Sequence, residues 1–327
     1  MLAFLIRRIV QAVIVMITVS FVSFSLFRFV GDPISTMVGQ DATLADRAAM
    51  ASQLGLDQPF PVQFARFIGK AVQGEFGISY RVGRPVMDLI RERLPATLEL
   101  ALCAAVFALV LGIFFGVYTA LKRESWLTKV VMTVSLIGVS LPTFLIGIGL
   151  IYLFSVELKW LPSFGRGETV KIGGWTTGFL TESGLKSLIL PTITLGLFQM
   201  TLIMRLVRSE MMEVLRTDYI KFARARGLSD RAIHFGHALK NTLIPVITIM
   251  GIKLGSLIAF AIITETVFQW PGVGFLFISS VQAVDVPMMA SYLLLVALFF
   301  VIVNLIVDLA YFMVDPRLRI SAAAARG

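Results

Sequence analysis

The chain has 327 residues, of which 57% are hydrophobic and only 15% charged, with a mean hydropathy of +0.87. A soluble domain is roughly 45–50% apolar and about 25% charged, so a water-soluble fold is excluded and a membrane protein is expected. The net charge of +9 lies mostly beside apolar runs, where topology signals belong. The aromatics sit inside those runs rather than among the basic clusters, which argues against nucleic acid as a partner.

Six segments are long and apolar enough to cross a bilayer, which takes about 20 residues: Ile9–Val30, Thr97–Leu121, Val130–Val156, Ser187–Val207, Leu243–Phe268 and Pro287–Val314. The first follows Arg7 and Arg8 but is too long for a signal-peptide core, and "GDP" follows it where a cleavage site would stand. Between the first two spans, "TLADRAAMASQLG" has a helix cap at Thr43 and a stop at Gly55, and "PVQFARFIGKAV" opens with Pro61. "RPVMDLIRERLP" reads as a third short helix, with Val86, Leu89, Ile90 and Leu94 on one face. These pieces are expected to lie on the membrane surface or to cap the bundle. In the third span, Pro142 and its neighbouring glycines predict a bend, which makes Pro142 a candidate for a gate on a translocation path, as alternating access would require.

Between the fourth and fifth spans lies "RTDYIKFARARGLSDRAIHFGHALKNTLIP". It predicts a short helix capped by Thr217, begun by Asp218 and stopped by Gly227, with Tyr219, Phe222, Ala223 and Arg226 on one face. A second helix is expected after Ser229, with Pro245 opening the next span. Two readings fit this pattern: a plug that docks in another protein's groove, and an amphipathic helix lying on lipid headgroups. His234 and His237 lack the further partners of a metal site and read as solvated loop residues.

Orientation follows from the lysines and arginines in short loops. Arg7, Arg8, Lys122, Arg123, Lys129, the eight basic residues from Arg205 to Lys240, and Arg317, Arg319 and Arg326 fall on one side. That side is assigned to the cytoplasm, together with both termini. Ionisable groups inside spans are functional candidates. Lys253 and Asp308 are placed to meet across the bundle, with Asn304 one turn from Asp308, and all three are candidates for a translocation path; Glu265 either lines that path or caps the outer loop. Arg205 and Arg208 lie close enough to the interface to snorkel.

The stretch Asp218–Gly227 followed by "HALKNTLIP" resembles the EAA loop of ABC-importer permeases, and more narrowly of the dipeptide/oligopeptide importer family. The resemblance extends through "LGLDQP", "GEFGISY", "LPATLEL", "TETVFQWPGVG" and "NLIVDLAYFMVDPRLR". It departs where the generic Glu-Ala-Ala reads Lys221-Phe222-Ala223 and in the longer spacing from Gly227 to Pro245. The resemblance implies an all-α, six-helix membrane protein of the type I ABC importer permease fold, in the bacterial inner membrane. It divides the chain into a first span with extracytoplasmic helices (1–96), a five-helix core (97–315) with a coupling loop (208–242), and a tail (316–327). It also implies that Asp218, Tyr219, Phe222, Ala223, Arg224, Ala225 and Gly227 contact an ATPase. The partners implied are a second homologous permease in a heterodimer, two ATP-binding cassette ATPases, an extracytoplasmic binding protein and membrane lipid.

No G-x-x-x-x-G-K-[ST] stretch occurs in the sequence, so no cofactor is expected in this chain, and ATP and magnesium are assigned to the partner subunits. A six-span intramembrane enzyme is disfavoured because no span carries a histidine to serve as base. An ion-coupled secondary carrier would leave the basic loop without a purpose, and no internal repeat supports it.

Overall fold

The computed structural model describes residues 2–29, 43–54 and 57–314. Gly31 to Pro33, Gly55, and Arg317, Arg319 and Arg326 in the expected tail lie outside the described residues. The described residues are mostly helical, as lipid requires, because only helices and closed barrels satisfy every backbone group without water.

The first span is α1 (Leu2–Phe29), followed by α2 (Leu44–Leu54) and α3 (Phe60–Val72). Pro61 stands in the first turn of α3, where its missing amide costs nothing. Phe60, Phe64 and Phe67 of α3 pack their rings on Phe21 and Phe24 of α1. That aromatic stack holds the short helix to one end of the first span.

The expected third short helix is not separate. Val86 begins a single 36-residue helix, α4 (Val86–Leu121), with Pro95 inside it. The segment is continuous because Val86, Leu89 and Ile90 are buried against neighbours and extend the apolar stripe of the span. The domain boundary expected at residues 96 and 97 therefore falls inside a helix.

The core is the crossing of α4 with α7 (Glu182–Val214). Small residues let the two backbones approach. A Cβ added at Gly116 would lie 2.6 Å from Val207 Cβ and 2.8 Å from the Met204 carbonyl oxygen; at Gly112 it would meet Ile203, and at Gly196 it would meet Phe107. Ala96, Leu100, Ala104 and Ala108 complete the buried seam on α4.

The third span is broken rather than bent. The helices α5 (Trp126–Ser140) and α6 (Thr143–Leu150), the latter continued by a π-helical turn at Ile151–Glu157, meet at 115°. Pro142 sits at the joint and starts α6. It has no amide to donate, and it disfavours helical backbone at Leu141, whose φ of −89° and ψ of 139° are extended.

A two-stranded hairpin follows, β1 (Val170–Ile172) and β2 (Trp175–Thr177). After α7 come α8 (Asp218–Ala225), a π-helical segment (Ala232–Ala238), α9 (Leu239–Val267), α10 (Val273–Gln282) and α11 (Val286–Val314). The second helix expected after Ser229 runs directly into α9, with Pro245 inside the helix rather than at its entrance. Among the described residues, four helices are long and apolar enough to cross a membrane, and five if α5 and α6 form one span. The expected span Leu243–Phe268 coincides with α9 up to Val267, within which Gly255–Val267 is a shorter apolar stretch. The hairpin and α10 lie at one end of the bundle, and α8 lies at the other.

Candidate functional site: a docking knob and its bracing

The site begins with the α8 turn. Thr217 stands at the cap position, but its hydroxyl donates to the Val214 carbonyl at 2.7 Å and caps no amide. Asp218 instead supplies negative charge at the helix start and pairs with Lys221 at 2.8 Å. At the other end, Gly227 has φ +77°, the left-handed conformation that ends helices cheaply only in glycine. Its amide reaches Arg224, and the Leu228 amide reaches Ala223.

Eight residues of helix are too few to be stable alone, so packing must hold α8 in place. Ile220 is fully buried and Ala223 is 5% exposed, in one cluster with Val117, Ala120, Val207, Met211 and Ile233. Ala223 therefore faces the protein's own core, not the face expected to be shared with Tyr219 and Phe222. Beside it on the helix, Tyr219 and Phe222 remain 48% and 63% exposed. The Arg226 guanidinium lies 5.9 Å from the Phe222 ring centroid. The Tyr219 hydroxyl and His237 Nδ1 are 2.5 Å apart, with the rings edge to face. His237, expected to be merely solvated, thus braces the knob against the π-helical segment. Arg224, Ala225 and Gly227 are exposed. The whole is a short helix seated on the bundle that projects two aromatic rings.

At the opposite end, two buried polar knots tie loops to the bundle. Glu265 is fully buried. Its carboxylate accepts from the Thr97 hydroxyl at 2.6 Å and from the Phe275 amide at 2.8 Å. Thr97 in turn accepts from the Val273 amide, and the Trp270 indole donates to the Ala96 carbonyl. A side chain at Gly272 or Gly274 would collide with that carboxylate, which accounts for the glycines of "WPGVG". Glu265 is thus the N-terminal anion of α10, and it lines no open face of this chain. Of the two readings the sequence allowed, the cap is the one the geometry carries.

The second knot was missed. Glu99 and Arg166 form a buried ion pair at 2.5 Å. Arg166 also donates to Thr176, at both its hydroxyl and its carbonyl, and Glu99 accepts from the Trp175 indole and the Gly178 amide. A carboxylate inside "LPATLELALCAAV" was the available signal, since such a charge must find a partner; the identity of a partner 67 residues away was not legible. A smaller brace joins Ser79 and the Tyr80 amide to the buried Asp285. Burial, and then that carboxylate, push the Tyr80 phenol above its ordinary range.

The remaining candidates are Pro142, Asn304, Lys253 and Asp308. Pro142 forms the break between α5 and α6. Asn304 donates to the Phe300 carbonyl and lies beside Arg8 and Gln11, in a groove between α11 and α1. Lys253 and Asp308 belong to α9 and α11, and their side chains lie outside those described. Arg205 Nε and Arg208 Nη1 are buried without a hydrogen-bond partner.

Apolar spans packed through a glycine seam, with a braced knob at one end and sealed loops at the other, make a multi-pass membrane permease. A family model described as "Binding-protein-dependent transport system inner membrane component" matches residues 112–320, and its N-terminal companion matches 1–101. The chain belongs to that family and is an inner-membrane, multi-pass transport component. It is 38% identical to the dipeptide transport system permease protein DppB of Alkalihalophilus pseudofirmus, over 98% of this chain and 100% of the relative. It is 40% identical to the di/tripeptide transport system permease protein DppB of Pseudomonas aeruginosa (98% and 99%). Against the glutathione transport system permease protein GsiC of Escherichia coli K12 the identity is 37% (98% and 99%). Among solved structures, a chain of the MetNI methionine ABC transporter in inward-facing form shares the fold, with a TM-score of 0.54, 17% identity, and coverage of 70% of this chain and 97% of that one.

Proposed function

We propose that this chain is the permease subunit of an ATP-driven peptide importer, forming half of the translocation pathway. The observation that carries the reading is the knob: Tyr219 and Phe222 stand exposed on a helix whose Ile220 and Ala223 are fixed in the core. Exposed aromatics on a preorganised short helix suit a groove in a partner protein, because little ordering entropy is lost on docking. A headgroup-bound helix would need no tyrosine–histidine brace.

In this reading the knob end faces the cytoplasm, with both termini on that side. Asp218, Tyr219, Phe222, Arg224, Ala225 and Gly227 meet a cleft of a separate ATP-binding cassette ATPase, and Ala223 and Ile220 transmit its motion to α4 and α7. ATP and magnesium are held by two such ATPases. A second homologous permease completes a six-span-per-subunit pair, and an extracytoplasmic binding protein delivers substrate at the hairpin end. Closure of the ATPases reorients the bundle as a rigid body, and the break at Pro142 is the natural joint. Peptides are the substrate class suggested by the relatives' names. Because the Glu99 and Glu265 carboxylates are each held by several donors from this chain, the two knots serve as struts that keep the loops fixed while the spans rock.

The test is uptake of labelled dipeptides, and of glutathione, by cells carrying the full transporter with Phe222→Glu. ATPase co-purification with the permease is measured alongside. Uptake and co-purification should both fall about tenfold or more, since a buried aromatic anchor carries about 2 kcal/mol or more. Full uptake with Phe222→Glu would overturn the reading.

A further inference from the structure

The knob carries more positive charge than this chain neutralises. From Arg216 to Lys240 the sequence has six basic residues against two acidic ones. Asp218 pairs with Lys221 at 2.8 Å, so those two charges offset each other. Arg216, Arg224, Arg226 and Arg231 are exposed and form no ion pair among the described residues. At 3.6 residues per turn, Arg224 and Arg226 stand on opposite flanks of α8. The Arg226 guanidinium lies beside the Phe222 ring. In the segment that follows, Leu228 and Phe235 are exposed as well.

We infer that the ATPase cleft which receives the knob is apolar at its floor and acidic at its rims, with carboxylates that pair with Arg224 on one side and Arg226 on the other. The inference rests on the transport reading and names the chemistry of the partner. Charge complementarity selects it: unpaired guanidiniums call for carboxylates, which they bind at two points, and arginine beside an aromatic ring is the composition of an interface anchor. The other anionic surface at this end is the lipid headgroup layer. A helix lying there turns its apolar stripe to the bilayer, but Ile220 and Ala223 of α8 are already buried in the core. The stem of the knob agrees. From Val207 to Val214, α7 rises about 10 Å and carries Glu210 and Glu213, whereas a headgroup layer is about 5–8 Å deep.

The experiment is ATPase retention by the intact transporter, held in nanodiscs of phosphatidylcholine alone and washed at 0.1 M or 1 M NaCl. Arg224→Gln with Arg226→Gln should lower retention about tenfold at 0.1 M, the factor for two exposed ion pairs. The difference from wild type should shrink to about twofold at 1 M, where charges are screened beyond about 3 Å. Asp218→Asn frees Lys221 and removes an acidic group from the knob, so it should raise retention about threefold at 0.1 M. Exchange of one Asp or Glu of the ATPase for Lys, selected from a library, should restore uptake to cells carrying Arg224→Glu with Arg226→Glu. Phe222→Ala changes no charge and should lose ATPase at both salt concentrations. If Phe222→Ala loses the ATPase while the double glutamine chain keeps it, this inference is overturned and the transport reading stands. If Phe222→Ala keeps the ATPase, the docking reading falls and takes this inference with it. A charge effect that appears only when phosphatidylglycerol is added would assign the arginines to headgroups and overturn the acidic cleft.

Discussion

Replacing Glu265 tests whether the outer knot is a strut or part of a path. The carboxylate takes the Thr97 hydroxyl and the Phe275 amide in a fully buried site. Hydrogen bonds to charged groups contribute about 1.5–3 kcal/mol each, so Glu265→Ala is expected to cost about 3–6 kcal/mol. At about 2 °C per kcal/mol for a chain of this size, that lowers the melting temperature by roughly 6–12 °C. Cys103 is the single cysteine, half-buried in α4 one turn beyond Glu99. In a transporter whose partner subunits have been freed of cysteine, a thiol-reactive fluorogenic dye therefore reports unfolding of this chain. Glu265→Gln keeps one acceptor oxygen but turns an amide group toward the α10 amides, and it should lose about 1–3 kcal/mol while retaining most uptake. The reasoning is refuted if Glu265→Ala melts with the wild type. It is equally refuted if Glu265→Gln melts normally yet abolishes uptake, since the carboxylate would then serve the substrate.

Arg166→Ala should destabilise by about 3–5 kcal/mol, because it leaves Glu99 charged and buried without its partner; the combined Glu99→Leu and Arg166→Met variant should recover most of that in the same melting assay. Gly116→Leu should force α4 away from Val207 and Met204 at a cost of about 1–3 kcal/mol or more, seen as lost monodisperse protein. Gly149→Leu, where a Cβ meets nothing within 4 Å, should express normally. Gly227→Ala should strain the left-handed turn by about 1–2 kcal/mol and weaken ATPase co-purification less than Phe222→Glu does. His237→Phe keeps the edge-to-face ring but removes the partner of the Tyr219 hydroxyl. It should lower uptake only partially, and uptake equal to wild type would show that the brace is dispensable.

The sequence alone determined the class of molecule and the position of its knob. Hydropathy is summed locally, so the apolar runs were legible wherever they were long. Gly227 was readable as a helix stop because a left-handed residue is a local backbone requirement. The aromatic pair was readable because exposed rings on a polar helix stand out from its composition. What only the tertiary structure decided depends on partners distant in the chain. Ala223 turns inward because Ile220 and the ends of α4 and α7 claim that face, which the helix's own periodicity does not indicate. The segment after Pro85 joins the second span, and the segment after Ser229 joins the fifth, because each buries its apolar side against neighbours. Glu265 and Glu99 are sealed because Thr97, the α10 amides and Arg166 arrive from elsewhere in the chain. A carboxylate in an apolar run announces that a partner exists, and only the packed bundle names it.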